Sequence, residues 1–122
     1  MDRRIFLVAA LASTAASAAF AGGHGRLFTF NGINNHTVTG TAEIVGTTVH
    51  LLDDFRFDNA PDPRIALGKD GTYAPETQTQ LLTSFSGASS FELPEGINPD
   101  GYNEVWVWCE KFSVGLAIAT VK

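Results

Sequence analysis

The chain of 122 residues has room for one compact domain and not two, and nine phenylalanines within 44% hydrophobic content suffice to build its core. Eight Lys and Arg against thirteen Asp and Glu give a formal charge of −5. With no basic run beyond the first residues, that balance excludes nucleic acid and anionic membrane surfaces as partners, because both require clustered cations.

Met1-Asp2-Arg3-Arg4-Ile5-Phe6-Leu7 precedes an alanine-rich apolar stretch that runs to Ala19. Arg-Arg-x-Phe-Leu fits a twin-arginine export signature, the plainer alternative being a Sec signal with two arginines. Ala19-Phe20-Ala21 is a small-x-small cleavage pattern ahead of Gly22. The apolar stretch is too short and too rich in Ala and Ser for a spanning helix, which wants about 20 strongly apolar residues. No stable membrane insertion is therefore expected after cleavage, and no cysteine at the cleavage site marks a lipoprotein. The expected organisation is an export signal over 1–21, a flexible mature N-terminus over 22–35 and one domain over 36–122. The expected location is extracytoplasmic, in a periplasm or secreted. Cleavage removes two positive charges and one negative, taking the net charge from −5 to −6.

After residue 35 the chain shows short alternating runs punctuated by glycine and proline, and little helical periodicity, which predicts an all-β, single antiparallel β-sandwich. Thr37 to Val45 reads as one strand with Val38, Gly40, Ala42 and Ile44 on one face and Thr37, Thr39, Thr41 and Glu43 on the other. Gly46 turns it into a hairpin partner, Thr48–Leu52. Asp53–Phe57 alternates charged and aromatic residues. Asp58 to Pro63 reads as a turn, since its two prolines lack the donors of a ladder. Arg64–Leu67 reads as a short strand ended by Gly68, residues 69–80 as a long exposed loop, and Ser89–Leu93 as another strand closed by Pro94-Glu95-Gly96.

The last two runs form the expected closing hairpin, Val105–Cys109 against Phe112–Val121 around Glu110-Lys111. In that register Val107 faces Val114, Val105 faces Leu116, Trp106 faces Gly115 and Trp108 faces Ser113; a four-residue loop would keep the same parity and the same sorting of faces. One face then carries Val105, Val107, Cys109, Phe112, Val114, Leu116 and Ile118. The other sets Trp106 and Trp108 beside Ser113, Gly115, Ala117 and Ala119, whose small side chains leave room for indoles.

These segments resemble the DM-thirteen domain family, an extracellular module found beside DOMON domains in Skeletor-type proteins. The resemblance is carried by His36-Thr37-Val38-Thr39-Gly40-Thr41-Ala42, Asp54-Phe55 with Pro61-Asp62, Phe91-Glu92-Leu93-Pro94, and Val107-Trp108-Cys109-Glu110-Lys111-Phe112-Ser113-Val114. They occur in the family's order over most of residues 36–122, and the Trp-Cys-x-x-Phe-Ser-Val run is the specific one. Ala60 departs from the glycine expected before the Pro-Asp pair. The resemblance implies a β-sandwich with a cysteine proposed to act in electron transfer, as a thiol or as the holder of a prosthetic group, haem being one. That cysteine corresponds to Cys109.

Cys109 is the chain's one cysteine, so within an exported chain it is free, joined to another molecule or bound to a ligand. Its competing reading is a small buried hydrophobe, because apolar burial makes a thiol inert. Lys111, two residues along, would favour the thiolate if the strand continues. Trp106 and Trp108 read as stacking or relay residues or as cover for the sheet. Of the histidines, His24 lies in the glycine-rich N-terminus, and His50 alternates with apolar neighbours so that it points away from the core. No His-x-His or Cys-x-x-Cys spacing accompanies them or His36. Asp53, Asp54, Asp58 and Asp62 match no calcium-loop spacing, and Asn35-His36-Thr37 is a glycosylation sequon. No metal site is expected.

No nucleophile elbow, phosphate loop or paired-carboxylate spacing supports hydrolysis, so the chain reads as an electron-transfer component rather than a stand-alone enzyme. The leading reading is an exported redox module centred on Cys109, working with a protein redox partner. The alternative is a non-catalytic extracytoplasmic domain that binds protein or glycan through a sheet face or the 69–80 loop.

Overall fold

The structure is a computed structural model that describes residues 25–122. The expected export signal and His24 lie outside the described residues. Within them ten strands form: β1 (Arg26–Gly32), β2 (Val38–Thr39), β3 (Thr41–Val45), β4 (Thr48–Leu51), β5 (Arg56–Phe57), β6 (Pro63–Lys69), β7 (Thr72–Ala74), β8 (Ser89–Glu92), β9 (Glu104–Cys109) and β10 (Val114–Val121). Eight of them make one sheet in the order β7-β6-β9-β10-β1-β3-β4-β8, while β2 and β5 pair as a separate ribbon. All pairings are antiparallel, and the large sheet curls like half a barrel. The fold is all-β, as the alternation predicts. The curled sheet and the two-stranded ribbon are very unequal in size.

One face of the curled sheet supplies Phe28, Phe30, Ala42, Ile44, Val49, Leu51, Ile65, Leu67, Val105, Val107 and Cys109 to a single apolar cluster. Val38 and Phe57 of the ribbon, with Phe55 before it and Leu82 from a later loop, complete that cluster. Phe55 stands edge-on to Phe30 with ring centroids 5.4 Å apart. Burying such rings stabilises by about 1.5–3 kcal/mol each relative to exposure, so this cluster is what holds the curl closed.

The N-terminal segment departs from expectation. Residues 26–32 form β1, which lies between β10 and β3, so the segment 22–35 is not a flexible leader throughout. Phe28 and Phe30 are 0% and 3% exposed. Their two-residue spacing is ordinary strand alternation, and neighbours on both sides complete the ladder.

Residues 37–45 are interrupted rather than continuous. Gly40 adopts φ 111°, and a Cβ there would stand 2.6 Å from the Asp54 carbonyl oxygen and Phe55 Cα. The break lets β2 leave for the ribbon while β3 stays in the sheet. Asp54 pins the start of β3, accepting from Thr41 N at 2.9 Å and Thr41 Oγ1 at 2.8 Å. Thr41 and Glu43 are both buried, Glu43 between Leu27 and His50 on the flanking strands. The β3–β4 hairpin itself forms as read, Val45 opposite Thr48.

The expected loop 69–80 is largely structured. Asp70 and Gly71 turn β6 into β7, and Pro75–Thr77 makes one short 3-10 turn. Thr77 is 0% exposed because its hydroxyl accepts from Leu67 N at 2.7 Å and donates to Ala74 O at 2.7 Å. Pro63, expected in a turn, instead opens β6 opposite Cys109, the strand-start position where a missing N–H is tolerated.

The closing hairpin forms with another register. A four-residue turn, Glu110 to Ser113, puts Val114 opposite Cys109 and Gly115 opposite Trp108. A bulge then falls between Gly115 and Ala117, after which Ala117 faces Val107, Ile118 faces Trp106 and Ala119 faces Val105. The extra residue reverses the alternation. Leu116, Ala117 and Ala119 therefore join the core, and Ile118 moves to the tryptophan side. Phe112, expected on the apolar face, is 63% exposed in the turn.

Candidate functional site

Two faces meet at the end of β9. Cys109 points into the core, 1% exposed, with Pro63 on β6 and Val114 on β10 as its ladder neighbours. Trp108, its chain neighbour, points to the opposite face, as strand alternation demands. There Trp106 and Trp108 form a cluster with Tyr73 from β7. Tyr73 stacks on Trp108 with centroids 3.8 Å apart and planes 5° from parallel, and Trp106 lies 5.8 Å and 6.4 Å from the two.

Glycine makes the space for this cluster. A Cβ on Gly68 would collide with Trp106 Nε1 and stand 2.7 Å from Thr72 O, and one on Gly115 would stand 2.8 Å from Trp106 Cζ3. Trp106 thus lies across β9 from β6 to β10. Of the small neighbours read for Trp106 and Trp108 only Gly115 holds: the bulge takes Ala117 and Ala119 into the core and sets Ile118 opposite Trp106, and Gly68 on β6 supplies the other gap.

Carboxylates and an amide fix the rings. Trp106 Nε1 donates to Glu104 Oε1 at 2.9 Å, and Gly71 N donates to Glu104 Oε2 at 2.7 Å. Trp108 Nε1 donates to Glu110 Oε1 at 3.1 Å, and Gln78 Nε2 reaches that same oxygen at 2.9 Å. Gln78 Nε2 also donates to Tyr73 Oη at 2.8 Å. Partial burial pushes the Tyr73 phenol above its ordinary range; the Gln78 hydrogen bond opposes this, while the charges of Glu110 and Glu76 add to it. Tyr73 is accordingly a neutral phenol at physiological pH. Sequence reasoning missed Tyr73, Gln78, Glu104 and Glu110.

The other candidates are dispersed. His36 meets Asp58 at 3.0 Å, and Asp58 also accepts from Thr37 N and Asn59 N. Desolvation is the largest single influence on the Asp58 carboxyl and pushes it up, but these hydrogen bonds and the charge of His36 together hold it below the usual range. His50 faces away from the core cluster as read, yet it is only 9% exposed, with Nδ1 2.7 Å from Ser90 Oγ. Asp62 pairs with Arg64 at 2.9 Å, while Asp53 lends its carbonyl to Arg56. Asn35 is exposed with φ 67°. Lys111 does not continue the strand beside Cys109; it sits in the turn with its ammonium 5.6 Å from the centre of the Phe112 ring.

A haem held by Cys109 needs a free flank for the macrocycle and, in most ligand sets, a second axial residue. The sulfur is instead enclosed in the core cluster, while His36 pairs with Asp58 and His50 lies against Ser90 on β8. A cleft of about 700 Å³ lined by Arg26, Ile44, Ile97 and Asp100, and one of about 460 Å³ lined by Glu92, Pro94 and Glu95, both lie away from Cys109. The residues around this thiol do not fit a haem.

Comparison with known proteins gives one positive finding. A family model described as electron transfer DM13 matches residues 29–121. No curated protein and no solved structure matches. The matched span starts within β1, in keeping with the place of that strand in the sheet. Among the described residues no helix is long and apolar enough to cross a membrane.

Proposed function

The chain belongs to the DM13 electron-transfer family, and from that premise we propose that it is an exported redox module whose working group is the thiol of Cys109. The observation that carries this reading is the family match over residues that contain the chain's one cysteine. Residues 1–21 serve as the export signal in this reading, and the mature protein works outside the cytoplasm. An idle thiol is a liability in such a compartment, where disulfides form and persist.

The chemistry follows from the surroundings. With no second cysteine in the chain, disulfide exchange requires sulfur from another molecule. Cys109 as thiolate attacks a partner disulfide, forming one mixed disulfide and releasing the partner's other sulfur as a thiolate. The two electrons of the Cys109 sulfur enter the new bond, and the pair from the broken bond leaves with the partner. The partner is a protein or small-molecule disulfide. At 1% exposure the sulfur is reached only when the end of β9 opens.

The test compares wild type with Cys109→Ala, both confirmed as folded by circular dichroism, for adduct formation in a glutathione redox buffer. Wild type acquires one glutathione by intact mass and the variant none. Wild type that stays unmodified in the native state, while its thiol reacts freely after unfolding, would make Cys109 a packing residue. The protein- or glycan-binding reading would then lead, with the Tyr73–Trp108 face as its surface.

A further inference from the structure

We infer that Glu110 is the positioning residue that sets access to Cys109: its side chain latches the end of β9, and its release opens the thiol. The inference deepens the thiol reading and rests on it for biological meaning, but its geometry stands alone.

The turn from Glu110 to Ser113 is weakly held beyond that one residue. Lys111, Phe112 and Ser113 are all exposed. Ser113 takes φ 50°, a left-handed conformation that strains a residue with a Cβ. The last ladder rung, Cys109 opposite Val114, sits directly beneath this turn. Fraying of that rung frees the backbone that carries the sulfur.

Glu110 opposes the fraying from two sides. Its backbone N–H donates to Asp62 O at 3.0 Å, tying β9 to the start of β6 next to Pro63. Its Oε1 accepts from both Trp108 Nε1 and Gln78 Nε2. Gln78 is itself held to Tyr73, which stacks on Trp108. The outer aromatic cluster therefore anchors the strand end whose inner face hides the thiol. Sulfur and latch lie on opposite faces one residue apart, so a partner reading the outer face controls the inner one without touching it.

The measurement is the rate at which Cys109 of the mature protein reacts with a disulfide reagent such as 5,5′-dithiobis(2-nitrobenzoate), followed across low denaturant concentrations. Local opening makes that rate nearly independent of denaturant there; global unfolding makes it rise with the full m-value. Glu110→Ala is expected to speed labelling roughly five- to tenfold, as for loss of one ordinary hydrogen bond at an exposed site. Glu110→Gln keeps a carbonyl oxygen for the Trp108 and Gln78 donors and should recover much of the slow rate. Ser113→Gly removes the backbone strain and should slow labelling below wild type. Phe112→Ala, also in the turn, should leave the rate unchanged.

Equal rates for wild type and Glu110→Ala would overturn the inference, as would labelling that tracks global unfolding in every variant. Glu110→Gln as fast as Glu110→Ala would equally remove the latch. These outcomes are separate from the thiol reading: if labelling obeys the latch but native wild type forms no glutathione adduct, the latch stands and the redox reading falls.

Discussion

Trp108 and Cys109 are consecutive residues in opposite physical worlds. On the outer face, Trp108 is half-buried, stacked on Tyr73 and hydrogen-bonded through Glu110. On the inner face, the Cys109 side chain lies in an apolar cluster, 1% exposed, surrounded by packing. The outer face is specified by directional bonds and by glycines that make room; the inner face by volume. Mutations on the two faces should therefore fail in different ways.

The largest expected effect comes from removing the room. Gly68→Ala places a methyl against Trp106 Nε1 and the Thr72 backbone, and overpacking of that kind costs about 1–3 kcal/mol, here at the upper end because backbone must move. Denaturant unfolding checks this, with Gly115→Ala as the milder comparison, since its nearest neighbours are side-chain atoms of Trp106 and Ile33. Equal losses would mean that the indole, not the β7 backbone, sets the constraint.

On the inner face, Cys109→Ser should cost roughly 1–3 kcal/mol, because a hydroxyl placed in the apolar cluster lacks a partner. Cys109→Ala leaves a void and no orphaned polar atom, so it should cost less. Unfolding curves for the pair rank the two terms. A serine variant as stable as the alanine one would show that a carbonyl or water reaches the site.

Breaking the outer stack should cost less again. Tyr73→Leu keeps apolar area and loses the ring pairing, worth about 0.5–1.5 kcal/mol beyond area. Trp108 fluorescence should shift with it, while Cys109→Ala leaves that emission unchanged.

Much of the inner face is legible in the sequence because period-2 alternation needs no tertiary knowledge. Val38, Ala42, Ile44, Val105, Val107 and Cys109 are all core, as the alternation predicts. Two features escape for identifiable reasons. The bulge at Leu116 lies in Val114-Gly115-Leu116-Ala117, where every residue tolerates either face; Gly115 is its one weak signal. Strand β1 hides behind the glycines at 22, 23 and 25, although Phe28 and Phe30 carry the correct spacing. The outer cluster is harder to see. Tyr73 and Gln78 lie 35 and 30 residues before Trp108 in a polar segment, and only the β7-β6-β9 order brings them together. The family resemblance points to Cys109 but not to Glu104 and Glu110, which hold the two indoles on the opposite face.

The smallest expected effect is acid sensitivity away from both faces. Hydrogen bonds from Thr47 and Thr48 hold the exposed Glu92 carboxyl below its ordinary range, with slight burial opposing them. Asp58 is also depressed, the His36, Thr37 and Asn59 contacts outweighing desolvation. Both folded pKa values lie below the unfolded ones, so each contribution is complete above the unfolded carboxylate pKa and is lost as pH falls through the folded value. Chemical denaturation at stepped pH should show stability declining below the ordinary carboxylate range, less steeply in Asp58→Asn.

The central claim, that the hidden thiol is the redox group, is tested most directly by intact-mass analysis of native wild type and Cys109→Ala across a series of glutathione redox potentials. The account predicts one reversible adduct on wild type, formed without loss of the folded circular dichroism signal, and none on the variant. A native wild-type protein that stays unmodified at every potential would contradict it.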